Sequence, residues 1–254
     1  ALARDMLHHR KPDFRNLFAD VLQKLKQLFV TEQPVLPLAC SGTGAMQAAV
    51  NNIFAPGEKV LIGSAGKFGE RWSELAQARG LKTTKLELPW GEVLSAQKIE
   101  EKLQDNPDVC GLLLQASETS TGVLHPIQDI AALTSRRNIL LVVDGISAVG
   151  ISPCPQDKWG IDCLLTGSQK GLMLPPGLAL ICLSQRAWEK VSYTKHRDYY
   201  FDLLLEKENC LQQQTRFTSP VNLIIGLRAA LDIFCKQGLG AIHRKHYALT
   251  QMVR

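Results

Sequence analysis

No apolar run in this 254-residue chain reaches the ~18 residues of a membrane-crossing helix, and no two cysteines are spaced C-x-x-C. The first absence excludes a helical membrane span. The second leaves a metal site without any ligand spacing to rest on. Seven cysteines stand singly, at 40, 110, 154, 163, 182, 210 and 235, several of them inside apolar runs. They read as reduced core thiols of an intracellular protein, with cytoplasm as the default compartment, rather than as a disulfide frame. Aromatic residues are scarce at 6%, and 29 Lys and Arg are scattered among 24 Asp and Glu for a net charge of +5. A nucleic-acid binder would show a basic stripe with interleaved aromatics, and none is present. The chain also lacks internal repeats and low-complexity linkers.

What is present is a large apolar fraction, 45%, enough for a sizeable core. Short apolar runs alternate with helical patterns. Strands are expected at 35–40, in "APGEKVLIGS" after a turn, in "KTTKLEL", and at 109–117, 138–145, 162–168 and 178–184. Helices are expected in "AMQAAVNNIF", "RWSELAQARG" and "SAQKIEEKLQDN", the last with Ser95 as N-cap, and from about Val221 onward. Continuous apolar strands suit a sheet covered on both faces, and their alternation with helices predicts an α/β fold with a mostly parallel sheet flanked by helices. Neither end reads as a natural terminus. The chain opens on "ALARDMLHH", which is not a signal peptide, and "HRKHYALTQMVR" stops inside a helical pattern, so both ends are expected to have been cut from something longer.

In such sheets ligands bind beyond the carboxyl ends of the strands, so the polar residues there matter most. "SGTGAMQAA" is a small-residue turn opening a helix, suited to an anion such as phosphate. It is not the dinucleotide fingerprint, because Gln47 stands where the third glycine belongs. "LLVVDG" ends an apolar strand on Asp144, and "TGSQKG" places Lys170 just past another. A lysine for a Schiff base, an acid for a pyridinium nitrogen and a cradle for phosphate are together the needs of pyridoxal phosphate.

The segments "SGTGAMQAAV", "GKFGER", "ETSTGVLHPI", "VVDGISAVG" and "GIDCLLTGSQKGLMLPPGLALI" resemble the class V aminotransferases, in the alanine–glyoxylate and serine–glyoxylate (serine–pyruvate) branch. The resemblance runs in order from about Ser41 to Pro220. It implies the large domain of a fold-type I pyridoxal-phosphate enzyme, with the small C-terminal domain largely absent. Residues 1–34 would then be an N-terminal helical segment, 35–237 the cofactor-binding domain, and 238–254 the start of a helix leading to the missing domain. Lys170 would hold the cofactor aldehyde and move the proton, and Asp144 would pair with the ring nitrogen. Phe68 would stack on the ring, Thr119 would bond near the ring hydroxyl, and Ile146 would pack the other face. Thr43, Gly44 and Gln169 would hold the phosphate. "TRFTSPV" resembles the segment that reaches a neighbouring subunit's site, with Thr218 on its phosphate, which implies a homodimer. Thr215 stands where some relatives have a phosphate-contacting tyrosine. Gln169 before the lysine also separates the chain from the desulfurase branch, which has His there.

The activity so implied is transamination between a small amino acid, alanine or serine, and a 2-oxo acid, glyoxylate or pyruvate. Two alternatives stay open: other pyridoxal-phosphate chemistry of lyase type, and cofactor binding without turnover. The family places its substrate-carboxylate arginine in the small domain, and none of Arg4, Arg10, Arg15, Arg71, Arg216 and Arg244 matches it. Relatives can be organellar, and no terminal address is legible here.

Overall fold

The apolar runs become strands in the computed structural model, which describes residue 2 and residues 5–195 and 198–253. Strands in chain order are β1 (Val35–Leu38), β2 (Lys59–Ser64), β3 (Lys82–Glu87), β4 (Val109–Gln115), β5 (Ser117–Glu118), β6 (Val123–Leu124), β7 (Leu140–Asp144), β8 (Cys163–Gly167) and β9 (Ala179–Leu183). The helices are α1 (Pro12–Phe29), α2 (Gly42–Ile53), α3 (Lys67–Arg79), α4 (Ala96–Gln104), α5 (Ile127–Arg136), α6 (Gln156–Trp159), α7 (Gln185–Tyr193), α8 (Leu203–Leu211), α9 (Val221–Gln237) and α10 (Leu239–Val253). Seven strands form one sheet in the order β1-β9-β8-β7-β4-β2-β3, and β5 pairs with β6 in a separate ribbon.

Neighbours from β3 to β8 are parallel, whereas β9 is antiparallel to both β8 and β1. Only β9 therefore runs against the rest. The reason is chain length: residues 168–178, which join β8 to β9, are too few for a crossover helix. The six other strands end at one edge of the sheet.

Every residue of β7, β8 and β9 is buried, as apolar strands covered on both faces require. Helices α2, α3 and α7 form one contacting layer, α4, α5 and α6 another, and α1 packs along α9. In α1 the buried side chains Phe14, Phe18, Val21, Leu25 and Leu28 recur at three- and four-residue steps, and Pro12 opens the helix without losing a needed donor. At the far edge, β3 carries Lys82, Lys85 and Glu87 exposed, which blunts edge-to-edge pairing. The expected cap of α4 forms, the Ser95 hydroxyl accepting the Lys98 N–H at 3.2 Å.

Buried Asp162 stitches the layers together. Its carboxylate accepts from the Leu141 N–H (2.8 Å), the Ser184 hydroxyl (2.8 Å) and the Arg186 guanidinium (2.6 Å), joining β7 and β8 to the start of α7. Among the described residues all seven cysteines are unpaired, and no helix is long and apolar enough to cross a membrane.

Candidate active site

One cleft, of about 220 Å³, opens at the common carboxyl edge of the sheet. It is lined by Ser41 to Thr43 after β1, Phe68 and Arg71 on α3, Ser117 and Thr119 after β4, Asp144, Ile146 and Ser147 at the end of β7, and Gln169 and Lys170 after β8. Of the residues singled out above, Thr43, Phe68, Thr119, Asp144, Ile146, Gln169 and Lys170 meet there.

Lys170 rides on a turn braced by its own backbone. The Ser168 hydroxyl donates to the Pro175 carbonyl at 2.7 Å, Leu174 N–H donates to the Ser168 carbonyl at 3.0 Å, and Met173 N–H donates to the Lys170 carbonyl at 2.9 Å. The side chain is exposed, and among the described residues its ammonium has no hydrogen-bond or ion-pair partner.

Asp144 is the opposite case, a buried carboxylate at a strand end. One oxygen accepts the Ile146 N–H at 2.8 Å. Burial pushes its pKa from 3.8 up to about 6, and the charge of Glu118 adds to the rise, while the Ile146 N–H and the Arg71 cation oppose it. A cation placed beside Asp144 would relieve this, so the cleft favours a positively charged group at that point.

Two hydroxyls, Thr119 Oγ1 and Ser147 Oγ, stand 2.6 Å apart. Arg71 donates to Thr43 Oγ1 at 3.1 Å, and its guanidinium lies 5.1 Å from the centroid of the Phe68 ring. Phe68 is the aromatic side chain of the cleft lining. Helix α2 begins at the cleft with Ser41 as N-cap and no side-chain capping bond. Its first N–H groups lack intrahelical acceptors by geometry and suit an anion.

Gly44 and Thr218 are not among the residues lining this cleft. The Gly44 N–H is turned back to the Ser41 carbonyl at 2.9 Å. A Cβ at Gly44 would come within 2.7 Å of Cys40 Cβ, so the missing side chain lets the turn close on itself. Thr218 borders a separate small cavity of about 20 Å³ with Tyr200, Phe201, Glu206 and Thr215. The Thr215 hydroxyl donates to the Phe217 carbonyl at 2.8 Å.

Sequence reasoning did not nominate Arg71, and Arg4 lies outside the described residues. Arg10 is occupied with the Thr215 and Arg216 carbonyls, and Arg216 lies over the Tyr199 and Phe217 rings. The signal for Arg71 was its position three residues after Phe68, which puts both on one helix face. Ser147 was equally legible, one residue beyond Ile146.

The profile of one family, aminotransferase class V, matches residues 1–254. A soluble hydrogenase 42 kDa subunit from Anabaena cylindrica is 40% identical over 252 residues, which are 97% of this chain and 65% of that protein. A serine–glyoxylate aminotransferase from Methylorubrum extorquens is 35% identical over 256 residues, 97% of this chain and 64% of that protein. The crystal structure of an alanine–glyoxylate aminotransferase from Nostoc sp. superposes with a TM-score of 0.94 at 31% identity, covering 99% of this chain and 67% of that one. The chain thus spans about two thirds of the length of the proteins it matches.

Proposed function

The chain belongs to the class V aminotransferase family, and on that premise we propose that it serves pyridoxal-phosphate-dependent transamination between a small amino acid, alanine or serine, and a 2-oxo acid, glyoxylate or pyruvate. The observation that carries this reading is the presence, in one cleft, of the exposed Lys170 side chain, without a hydrogen-bond or ion-pair partner among the described residues, and the buried Asp144 carboxylate. The serine–glyoxylate and alanine–glyoxylate enzymes it resembles share glyoxylate in their names and differ in the donor, which supports glyoxylate as acceptor.

The residues suit the cofactor chemically. A protonated ring nitrogen is the cation that Asp144 lacks. Phe68 and Ile146 supply apolar walls for a planar ring. Thr43, Gln169 and the open start of α2 suit a phosphate, with Gly44 keeping that turn tight. Pyridoxal phosphate, when bound, supplies a carbonyl that takes up an amine and a ring that withdraws electrons from the neighbouring carbon.

The chain's own groups do the rest. Lys170 Nζ would hold the cofactor at its carbonyl carbon and, when free, would carry the proton taken from the substrate's α-carbon. Asp144 holds a proton on the ring nitrogen through its carboxylate. Thr119, braced by Ser147, orients the ring through its hydroxyl. In a homodimer each Thr218 would serve the other subunit's phosphate. On the same reading residues 1–34 are a helical lead-in, 35–237 the cofactor domain and 238–254 the start of a link to a further domain.

The test is formation of glycine from glyoxylate by the purified protein with pyridoxal phosphate, offering alanine or serine as donor. Glycine with either donor supports the proposal. Release of ammonia from serine without any glycine would replace it with a lyase, and binding with neither product would leave a cofactor-binding protein.

A further inference from the structure

Glu118 has no part in the chemistry above, yet it is fully buried and densely bonded. Its carboxylate accepts from the N–H of Phe68 (3.1 Å), the N–H of Gly69 (3.0 Å), the N–H of Ser120 (3.1 Å) and the Ser120 hydroxyl (2.6 Å). Ser120 Oγ in turn accepts the Lys67 N–H at 3.1 Å. The first three N–H groups of α3 are therefore held by two side chains that lie about fifty residues further along the chain. Such bonds to an ionised acceptor are stronger than neutral ones, and a helix start favours negative charge.

A cap for stability alone needs only a Ser or Asp at the N-cap position. Here that position is Gly66, which makes no side-chain capping bond. A Cβ at Gly66 would lie 2.5 Å from Glu118 Cγ and 2.6 Å from its Cδ, so the space is taken by the distant carboxylate. Its neighbours Ser117 and Thr119 line one wall of the cleft, and Phe68, whose N–H it binds, lines another. The clamp thus joins the two walls.

We propose that Glu118 is a positioning residue: it ties the Phe68 backbone to the segment carrying Ser117 and Thr119, and so holds the aromatic wall at the spacing a planar cofactor ring needs. This rests on the cofactor reading above. Glu118→Gln keeps the length but puts an NH2 group against N–H and O–H donors. Ser120→Ala is the milder version, removing one donor to Glu118 and the acceptor for Lys67 N–H.

The experiment compares wild type, Glu118→Gln, Ser120→Ala, Phe68→Leu and the Glu118→Gln/Phe68→Leu double variant. Each is titrated with pyridoxal phosphate and followed by visible circular dichroism, with a thermal melt for folding and mass mapping of the borohydride-reduced adduct. Expected for Glu118→Gln is a cooperative melt, an adduct still on Lys170, a collapsed dichroic band and roughly tenfold weaker binding. Ser120→Ala should show a smaller loss in the same direction. In the double variant the loss should equal that of Phe68→Leu alone, because Glu118 acts through Phe68. Unchanged dichroism and affinity in folded Glu118→Gln, or losses that add in the double variant, would overturn the proposal. If Glu118→Gln does not fold, Ser120→Ala decides: an unchanged band contradicts the clamp and a weakened band supports it. A wild type that takes no adduct at Lys170 would fail the cofactor reading itself and the proposal with it.

Discussion

Arg71 donates to the Thr43 hydroxyl at 3.1 Å, so the first turn of α2 and the second turn of α3 are joined across the cleft. The two helices follow different strands, β1 and β2, and this contact ties their cleft-facing ends. Replacing Arg71 by Met should destabilise the fold by about 1.5–3 kcal/mol, as expected for a hydrogen bond to a charged group. In a double-mutant cycle with Thr43→Val, urea unfolding should give a coupling energy of about 1 kcal/mol. Strict additivity would mean that the bond contributes nothing in solution.

Asp144 should make the ligand-free protein less stable as the pH rises. Its folded-state pKa of about 6 lies above the 3.8 of an unfolded carboxyl. Between those values the folded state binds more protons than the unfolded one, so stability falls as pH increases through the window. Asp144→Asn carries no charge and lacks this slope. Without cofactor it should exceed wild type by about 2–3 kcal/mol above the window, with little difference at pH 4. Urea midpoints at the two pH values measure this, and equal midpoints at both would contradict a buried, desolvated carboxylate. Added pyridoxal phosphate should narrow the gap by stabilising wild type more.

His125 predicts a slope of the opposite sign. Its Nδ1 accepts the Leu94 N–H at 3.2 Å, and burial pushes its pKa from 6.5 down to about 4, with the Glu118 charge opposing. The unfolded state therefore binds more protons between those values, and the stability contributed by neutral His125 is lost as the pH falls through them. His125→Asn, which keeps an acceptor and does not titrate, should flatten the acid limb of the stability profile by up to about 3 kcal/mol. An unaltered acid limb would show that other groups set it.

Much of this architecture is legible in the residues themselves. Runs such as Leu140–Val143 and Leu164–Leu165 have no polar face, and that alone marks strands covered on both sides. Ser95 signals its helix start by chemistry at one position. The direction of β9 follows from connection length, not from its composition. The expected 109–117 strand breaks before Ser117 because the chain there leaves the sheet for the β5–β6 ribbon, which apolar patterning does not record. At the site, the strand-end residues Asp144 and Lys170 are conspicuous because polar groups interrupt apolar runs. Arg71 is not, since its role depends on a helix face meeting Thr43 from another element. Glu118 was the hardest to see: its bonds to Phe68 and Gly69 span 50 and 49 residues, beyond any local pattern.

The central claim is that Lys170 is the residue to which the cofactor attaches. Borohydride reduction of the protein with pyridoxal phosphate, followed by peptide mass mapping, tests it directly. A single stoichiometric adduct on Lys170, lost in Lys170→Ala while the melting curve is kept, is the predicted result. The same variant should lower transamination by roughly 10³-fold. An adduct spread over surface lysines such as Lys67 and Lys98, unchanged in Lys170→Ala, would contradict the account.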